Sequence, residues 1–262
     1  MDLGLRGRAA VVGGASAGLG AAVAEALAAE GCRLLIWSRS EERLRAVAAR
    51  LREAHGVDVA LLSADAAEPD AADRVREEAE RTLGGIDICV LNAGGPPTVE
   101  AVATEAEAWR RAFQLLAITP ITLAQGLLPG MRQRGWGRIV ALMSSVVREP
   151  IPPLVYSTAG RSALAGWMKT AASQVAAEGV TINGILTGRV ATARVEQLDA
   201  ERAAREGRAL DEVRLDVMAT IPAGRYGEPR ELGAVGAFLC SGPASYVTGA
   251  LVPVDGGLLR EI

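Results

Sequence analysis

Residues 9–20 read AAVVGGASAGLG, an apolar run followed at once by a glycine-rich turn. The apolar part has the length of a strand, and Gly14, Gly18 and Gly20 then open a helical pattern that continues to about residue 30. Glycines let a backbone turn sharply and approach a diphosphate, which the positive N-terminus of a helix stabilises. The spacing therefore predicts a strand-turn-helix unit that binds a dinucleotide.

The rest of the chain alternates apolar runs of strand length with longer helical patterns, which predicts βα units feeding a parallel sheet. The runs are continuously apolar, so helices should cover both faces. We predict an α/β fold: one domain over 1–262, a Rossmann-type doubly wound parallel sheet of about seven strands. The expected strands are 9–12, 33–37, 57–62, 86–91, 138–143, 180–186 and 250–254. The expected helices after the first are 41–54, 70–83, 105–134 with a bend at Pro120, 155–178 and 228–239.

Composition excludes several classes of protein. A formal net charge of −3 provides no basic surface for nucleic acid. The cysteines Cys32, Cys89 and Cys240 lie far apart among apolar residues, so we expect buried free thiols. His55 is the only histidine, and we expect it at the surface end of a helix, with no metal site in the chain. We expect a cytoplasmic protein without a signal peptide or a membrane span.

Further motifs follow the predicted strands at the same edge of the sheet. They are Asp65-Ala66 after the third strand, Asn92-Ala93-Gly94 after the fourth, Thr187-Gly188 and Thr192 after the sixth, and Tyr246-Val247-Thr248-Gly249 and Val254-Asp255-Gly256-Gly257 near the end. With the GxxxGxG spacing, these motifs resemble the short-chain dehydrogenase/reductase family over nearly the whole chain.

The resemblance implies a nicotinamide dinucleotide cofactor and a role for each motif. Asn92 would support the adenosine side, Asp65 would contact adenine, and Thr192 would hold the nicotinamide carboxamide, although Thr187 replaces the family's proline. The cofactor-binding residues implied in this way are Gly14, Ser16, Gly18, Leu19, Gly20, Arg39, Asp65, Ala66, Asn92, Ala93, Gly94, Arg161 and Thr192.

The end of the second strand indicates which cofactor is bound. An acid there accepts the ribose 2′-hydroxyl of NAD, whereas a basic residue suits the 2′-phosphate of NADP. Residues 36–40 read IWSRS, with no acid and with Arg39. An arginine makes paired charge-assisted bonds to phosphate, so the sequence favours NADP(H) over NAD(H). The alternative is that Arg39 is only a solvated residue at a helix start.

The residues at the positions that carry the chemistry in the family depart from the family pattern. In the family an asparagine, a serine, a tyrosine and a lysine four residues after the tyrosine carry the proton chemistry. A phenol with a pKa near 10 needs a neighbouring cation to act near neutrality. The single lysine of this chain, Lys169, follows Ala165 by four residues, so no YxxxK motif exists.

The helix after the fifth strand provides the register. Gly166, Lys169 and Thr170 match the family pattern downstream of the active lysine. This match places Arg161 at the lysine position and Ser157 at the tyrosine position.

Three further residues follow from this register. The family interval, counted back from Ser157, reaches Ser144, and the same comparison in the long helix puts Leu116 at the asparagine position. Tyr156 lies one residue from the expected position, about 100° around a regular helix. Either the prolines before the helix turn Tyr156 inward as a displaced acid, or it packs against the proline loop.

Residues 189–227 are charged and helical, and we predict a substrate lid within the domain. Arg189, Arg194, Arg225 and Tyr226 could meet an anionic substrate such as an acyl group on a carrier or on CoA. A solvated helical face is the alternative, because acids are interspersed with these residues.

Two functions remain open from the sequence. One is an NADP-dependent oxidoreductase of a small carbonyl or alcohol substrate, resembling the 3-oxoacyl-carrier-protein reductases, with the atypical catalytic set Ser144, Ser157, Arg161 and Tyr156. The alternative is a non-catalytic nicotinamide-nucleotide-binding protein, either a sensor or a structural partner in an oligomer. The resemblance also implies a homotetramer.

Overall fold

The computed structural model describes residues 1–261. Seven parallel strands form one sheet in the order β3-β2-β1-β4-β5-β6-β7. The chain crosses from β3 past β1 to β4, so the order reverses between β1 and β4, where ligands bind in open α/β sheets. The strands are β1 (Ala9–Gly13), β2 (Arg33–Ser38), β3 (Val59–Ser63), β4 (Ile88–Leu91), β5 (Gly137–Leu142), β6 (Val180–Thr187) and β7 (Leu251–Val254).

Helices cover both faces of the sheet. Adjacent residues of the central strands enter opposite core clusters, as Val11 and Val12 do, because successive side chains of a strand point to opposite faces. Helices α3, α5 and α6 pack on one face and α1, α2 and α9 on the other, which confirms the predicted doubly wound fold. The helices are α1 (Gly18–Ala29), α2 (Glu41–His55), α3 (Ala71–Leu83), α4 (Ala106–Phe113), α5 (Thr119–Gln133), α6 (Val155–Val175), α7 (Ala193–Glu206), α8 (Leu210–Thr220) and α9 (Pro229–Leu239).

The long helix deviates before Pro120 rather than bending at it. A π-helical turn, Gln114–Ile118, joins α4 to α5, and Pro120 lies in the first turn of α5. Proline has no N–H to give to the preceding turn, and a wider turn accommodates this loss. The continuous helix Ala106–Gln133 has 28 residues and is apolar enough to cross a membrane by length and composition alone. Here it packs against α3 and α6 as one of the helices that cover the sheet.

Several predicted boundaries were wrong by a few residues. Strands β3 and β4 each begin two residues later than expected, at Val59 and Ile88, because glycine turns precede them. Helix α6 ends at Val175, and a 3-10 turn continues to residue 178. The segment 189–227 contains α7 and α8, which share a small apolar cluster of their own.

The three cysteines are free and buried. Burial raises the pKa of the Cys32 and Cys89 thiols to about 12 in each case, so both are neutral packing residues. His55 is the last residue of α2, and its imidazole contacts the Glu25 carboxylate.

Candidate active site

The glycine turn after β1 leaves no room for side chains. Gly14 and Gly18 have φ values of +58° and +57°, a region that favours glycine. A Cβ on Gly20 would lie 2.4 Å from the Gly14 carbonyl oxygen. The Asn92 amide donates hydrogen bonds to the carbonyls of Gly13 (3.2 Å) and Gly14 (3.5 Å), which ties the end of β4 to this turn. The backbone therefore forms a bare cradle at the N-terminus of α1.

A cleft runs along the carboxyl ends of the strands on both sides of this cradle. Its two halves share the glycine turn, the loop 92–96 and the start of α7. The β2 half is lined by residues that follow β2 and β3, among them 37–40 and 64–67. The β5 half is lined by residues that follow β5 and β6, together with the first two turns of α6.

The β2 half contains polar groups without partners. Arg39 and Arg43 line it, and neither guanidinium pairs with a carboxylate of residues 1–261. The Ser38 hydroxyl and the Trp37 indole N–H are buried without a hydrogen-bond partner among the described residues. The Arg39 guanidinium extends to 3.7 Å from the Cβ position of Gly94 on the opposite wall. A ligand with a phosphate group fits these unmatched donors.

Asp65, the residue predicted to contact adenine, already forms hydrogen bonds within the chain. Its carboxylate accepts hydrogen bonds from the Ala67 backbone N–H (3.0 Å) and from Arg111 (3.1 Å). The carbonyl of Ala66 accepts the Thr119 hydroxyl at 2.8 Å. Both predicted residues line the β2 half, and a direct contact of Asp65 with adenine stays a prediction.

Three of the predicted catalytic residues lie together in the β5 half. Ser144 follows β5, and Ser157 and Arg161 lie one turn apart in α6. The Arg161 guanidinium donates a 2.6 Å hydrogen bond to the Ser157 hydroxyl, the geometry expected for residues i and i+4. The Ser144 hydroxyl accepts a long bond, 3.4 Å, from the Val146 N–H, which leaves its own hydrogen free.

Arg161 carries a half-buried positive charge. It has no carboxylate partner among residues 1–261. Burial lowers the pKa of its guanidinium to about 10, and the nearby charge of Arg194 lowers it further in the same direction. The group stays protonated at neutral pH. Only one of its five N–H donors is used within the described chain, in the bond to Ser157.

The wall behind Arg161 is apolar. Leu116 lies in the π-helical turn, is 4% exposed, and lines a small cavity with Arg161. Its Cβ is 2.8 Å from the Cβ position of Gly160, so only glycine fits at that point of α6. Leu116 is thus a packed apolar side chain, and its correspondence to the family's asparagine stays a prediction.

Tyr156 and Lys169 lie elsewhere. The Tyr156 ring packs edge-on against Trp109 in α4, with ring centroids 4.7 Å apart, and borders the β2 half. Tyr156 is buried and lines the β2 half, whereas Ser144 and Ser157 line the β5 half, which favours a packing role. The Lys169 ammonium donates to the Gly249 carbonyl at 3.1 Å and lines neither half of the cleft.

The start of α7 closes the cleft from above. Thr192 is the N-cap of α7, and its hydroxyl accepts a hydrogen bond from the Val195 N–H. The Thr192 methyl group lies 3.5 Å from the position that a Cβ on Gly18 would occupy. Arg194, two residues on, donates to the Pro96 carbonyl at 2.9 Å and lines both halves of the cleft.

The other three lid residues that could meet an anion have carboxylate partners. The buried Asp199 carboxylate accepts hydrogen bonds from the Arg189 guanidinium (3.2 Å) and from the Tyr226 hydroxyl (2.7 Å). Burial and this contact raise the pKa of Tyr226 to about 12. Arg225 pairs with Glu231. Among the four residues that could meet an anion, only Arg194 lacks a carboxylate partner among residues 1–261.

Sequence reasoning missed three residues that line the cleft, Ser38, Arg43 and Arg111. Ser38 ends β2 directly before Arg39, and Arg43 lies in the first turn of α2, so both positions were readable. Arg111 acts through Asp65, a partner far along the chain. Thr187 was singled out from the sequence, but one of its contacts was not: its hydroxyl donates to the Met143 carbonyl at 2.9 Å. That bond joins the ends of β5 and β6, and no local motif indicates it.

The parallel sheet with its strand-order reversal, the bare glycine turn and the basic cleft define a Rossmann-type dinucleotide-binding protein. A family model described as enoyl-(acyl carrier protein) reductase matches residues 14–259. The chain belongs to the short-chain dehydrogenase/reductase family, which confirms the resemblance.

Similar proteins cover the chain almost end to end. It is 31% identical to the 3-oxoacyl-acyl-carrier-protein reductase FabG of Aquifex aeolicus, over 98% of this chain and 100% of that protein. It is 30% identical to the D-beta-hydroxybutyrate dehydrogenase of Cupriavidus necator, over 98% and 100%. The crystal structure of L-sorbose reductase from Gluconobacter frateurii, complexed with NADPH and L-sorbose, superposes with a TM-score of 0.94 at 33% identity and full coverage of both chains.

Proposed function

We propose that the protein is an NADP(H)-dependent oxidoreductase that reduces a small carbonyl compound or oxidises the corresponding alcohol. The observation that carries this proposal is the meeting of Ser144, Ser157 and Arg161 in a cavity that opens onto the glycine cradle. The named relatives are a 3-oxoacyl-acyl-carrier-protein reductase, a hydroxybutyrate dehydrogenase and a sugar reductase, which supports carbonyl and alcohol chemistry.

The residues of the β2 half support NADP(H) as the cofactor. Arg39, Arg43 and the Ser38 hydroxyl would hold a 2′-phosphate, and the cradle at Gly14–Gly20 would hold the diphosphate. Thr192 would hold the carboxamide with its free hydroxyl hydrogen. When bound, the reduced nicotinamide supplies a hydride to the carbonyl carbon.

The protein side of the reaction consists of hydrogen-bond donors and one cation. The Ser144 and Ser157 hydroxyls donate to the carbonyl oxygen and orient it. Arg161 donates to the Ser157 oxygen, which polarises that O–H and stabilises the negative charge that develops. The proton that completes the alcohol passes from Ser157 and is replaced from solvent. A hydroxyl is a weaker acid than a phenol, so this step should be slower than with tyrosine.

Removal of the Ser157 hydroxyl tests this assignment. Ser157→Ala should lower kcat on the order of 10²-fold, because a donor to the developing charge is lost. Tyr156→Phe should leave kcat within about twofold, because the Tyr156 ring packs on Trp109 outside the β5 half. Steady-state oxidation of NADPH measures both. The reverse pattern would assign the acid to Tyr156.

A non-catalytic nucleotide-binding protein is the second candidate. The absence of a YxxxK motif and the apolar wall at Leu116 favour it. A single-turnover experiment with stoichiometric NADPH and a panel of ketones, sugars and oxo acids separates the two functions. Tight binding without oxidation of any sample would indicate a sensor or a structural partner.

We also propose that 189–227 is the lid and that Arg194 fastens it. Its bond to the Pro96 carbonyl spans the cleft above the cradle, and Thr98 and Glu201 form a second contact at 3.3 Å. Arg194→Gln should therefore speed NADPH release about 10-fold, as expected for a lost charge-assisted hydrogen bond. Stopped-flow fluorescence measures that rate.

Arg202→Gln is the matched control, because Arg202 lies in the same helix and pairs only with Glu206. Equal release rates for the two variants would remove Arg194 from the lid mechanism.

A homotetramer in the cytoplasm completes the proposal. Ile118, in the middle of the long helix, is 48% exposed, which is compatible with a helical interface between copies. Light scattering after gel filtration determines the oligomeric state.

A further inference from the structure

Arg161 has N–H groups without hydrogen-bond partners in the described chain at the point where a substrate would lie. Four of its five N–H groups have no partner among the described residues. The guanidinium lines the β5 half, so these donors are reachable from the cleft. An arginine with two free N–H groups side by side matches a carboxylate in a bidentate pair.

The charges around this point are unbalanced. Arg189 borders the same half and is neutralised by the buried Asp199. Arg161 and Arg194 have no such partner among residues 1–261, and the nearby charge of Arg194 lowers the pKa of the Arg161 guanidinium. Leaving a partly desolvated charge uncompensated is costly, and an incoming anion relieves that cost.

Space for that anion comes from Ser157. The family resemblance implies a phenol at this position, and the hydroxymethyl group of Ser157 is far smaller. Ser144, Ser157 and Arg161 line this half of the cleft together with Ile151 and Leu154, and the Ser157 side chain leaves more of it open than a phenol would. A compact substrate can therefore approach the guanidinium directly.

We infer that the β5 half is built for a small oxo acid, a 2-oxo or 3-oxo acid with a free carboxylate. The carbonyl oxygen meets the Ser144 and Ser157 hydroxyls, and the carboxylate is bound by Arg161. Donors next to one another on Ser157 and Arg161 select acceptors next to one another on the substrate. This inference rests on the proposed oxidoreductase function and adds the substrate class.

Binding to the NADP⁺-loaded protein tests it without turnover, because a ketone cannot react with the oxidised cofactor. The probes are acetoacetate and its neutral methyl ester, titrated calorimetrically at saturating NADP⁺. Acetoacetate should bind about 10- to 100-fold more tightly than the ester, as one charge-assisted pair implies. Equal affinities would overturn the inference.

Variants locate the effect. Arg161→Gln should erase the preference for acetoacetate. Arg202→Gln, the same charge change at a residue of α7 that lines neither half of the cleft, should keep it. Ser157→Tyr fills the space beside Arg161, so it should weaken the binding of acetoacetate about 10-fold. The affinity for NADP⁺ should stay within twofold of the native value. If Arg161→Gln weakens the binding of NADP⁺ as much as the binding of acetoacetate, Arg161 serves the cofactor and the inference fails.

Turnover is measured separately. Acetoacetate binding without NADPH oxidation would reject the oxidoreductase function and keep the carboxylate site. Oxidation with neutral ketones alone would keep the function and reject the site.

Discussion

The triple variant Leu116→Asn, Ser157→Tyr and Arg161→Lys should reduce a neutral ketone about 10² to 10⁴ times faster than the native protein, the range that a positioned general acid contributes. The tyrosine would supply a phenol where Ser157 now faces the cavity. The lysine would place a compact cation one turn away and lower the phenol pKa. The asparagine would return a polar group to the wall behind it.

The backbone favours this result. Ser157 and Arg161 are already hydrogen-bonded at i, i+4, so a tyrosine and a lysine there would also face each other. The π-helical turn that holds Leu116 directly precedes Pro120, and the substitution leaves that proline in place. Single-turnover oxidation of NADPH with a neutral ketone measures the gain.

The component variants act as controls. Groups that function as a unit give strongly non-additive effects, so Ser157→Tyr alone and Arg161→Lys alone should each gain less than tenfold. A set of additive small gains, or no gain in the triple variant with cofactor binding retained, would contradict the register on which the proposed site depends. In that case Tyr156 would have to be tested as the acid.

That register was accessible from the sequence because α6 is regular. Intervals counted along one uninterrupted helix translate directly into positions, so Ser157 and Arg161 could be placed without a structure. Ser144 could be placed because β5 ends next to it. The glycine turn was readable for a similar reason, since its three glycines lie in one short segment and have one steric cause.

Contacts between distant segments were not accessible. The bond between Arg111 and Asp65 joins residues 46 apart in sequence, and that between Arg194 and Pro96 joins residues 98 apart. No periodicity indicates such pairs, because they depend on how α4 and α7 pack over the cleft. The isolation of the Arg161 charge was hidden for the same reason, since it depends on which acids pack nearby.

The second large effect is expected at the cofactor's adenosine end. Arg39→Asp should weaken the binding of NADPH by about 10² to 10³-fold and invert the cofactor preference toward NADH. A bidentate charge-assisted pair to the 2′-phosphate is lost, and a carboxylate now repels that phosphate. The same carboxylate can accept the ribose 2′-hydroxyl of NADH. Fluorescence titration of both cofactors measures the ratio of the two dissociation constants.

Arg45→Asp is the matched control for general electrostatics. Arg45 lies in α2 near Arg39, pairs with Glu41 on the exposed face and lines neither half of the cleft. The charge change is identical, so a long-range effect would move both variants equally, whereas a direct phosphate contact moves only Arg39→Asp. Ser38→Ala should produce a smaller change of the same sign, about 3- to 10-fold, because its unpartnered hydroxyl would donate a single hydrogen bond to the phosphate. Equal affinities of the native protein for NADPH and NADH would show instead that Arg39 is a solvated residue at the start of α2.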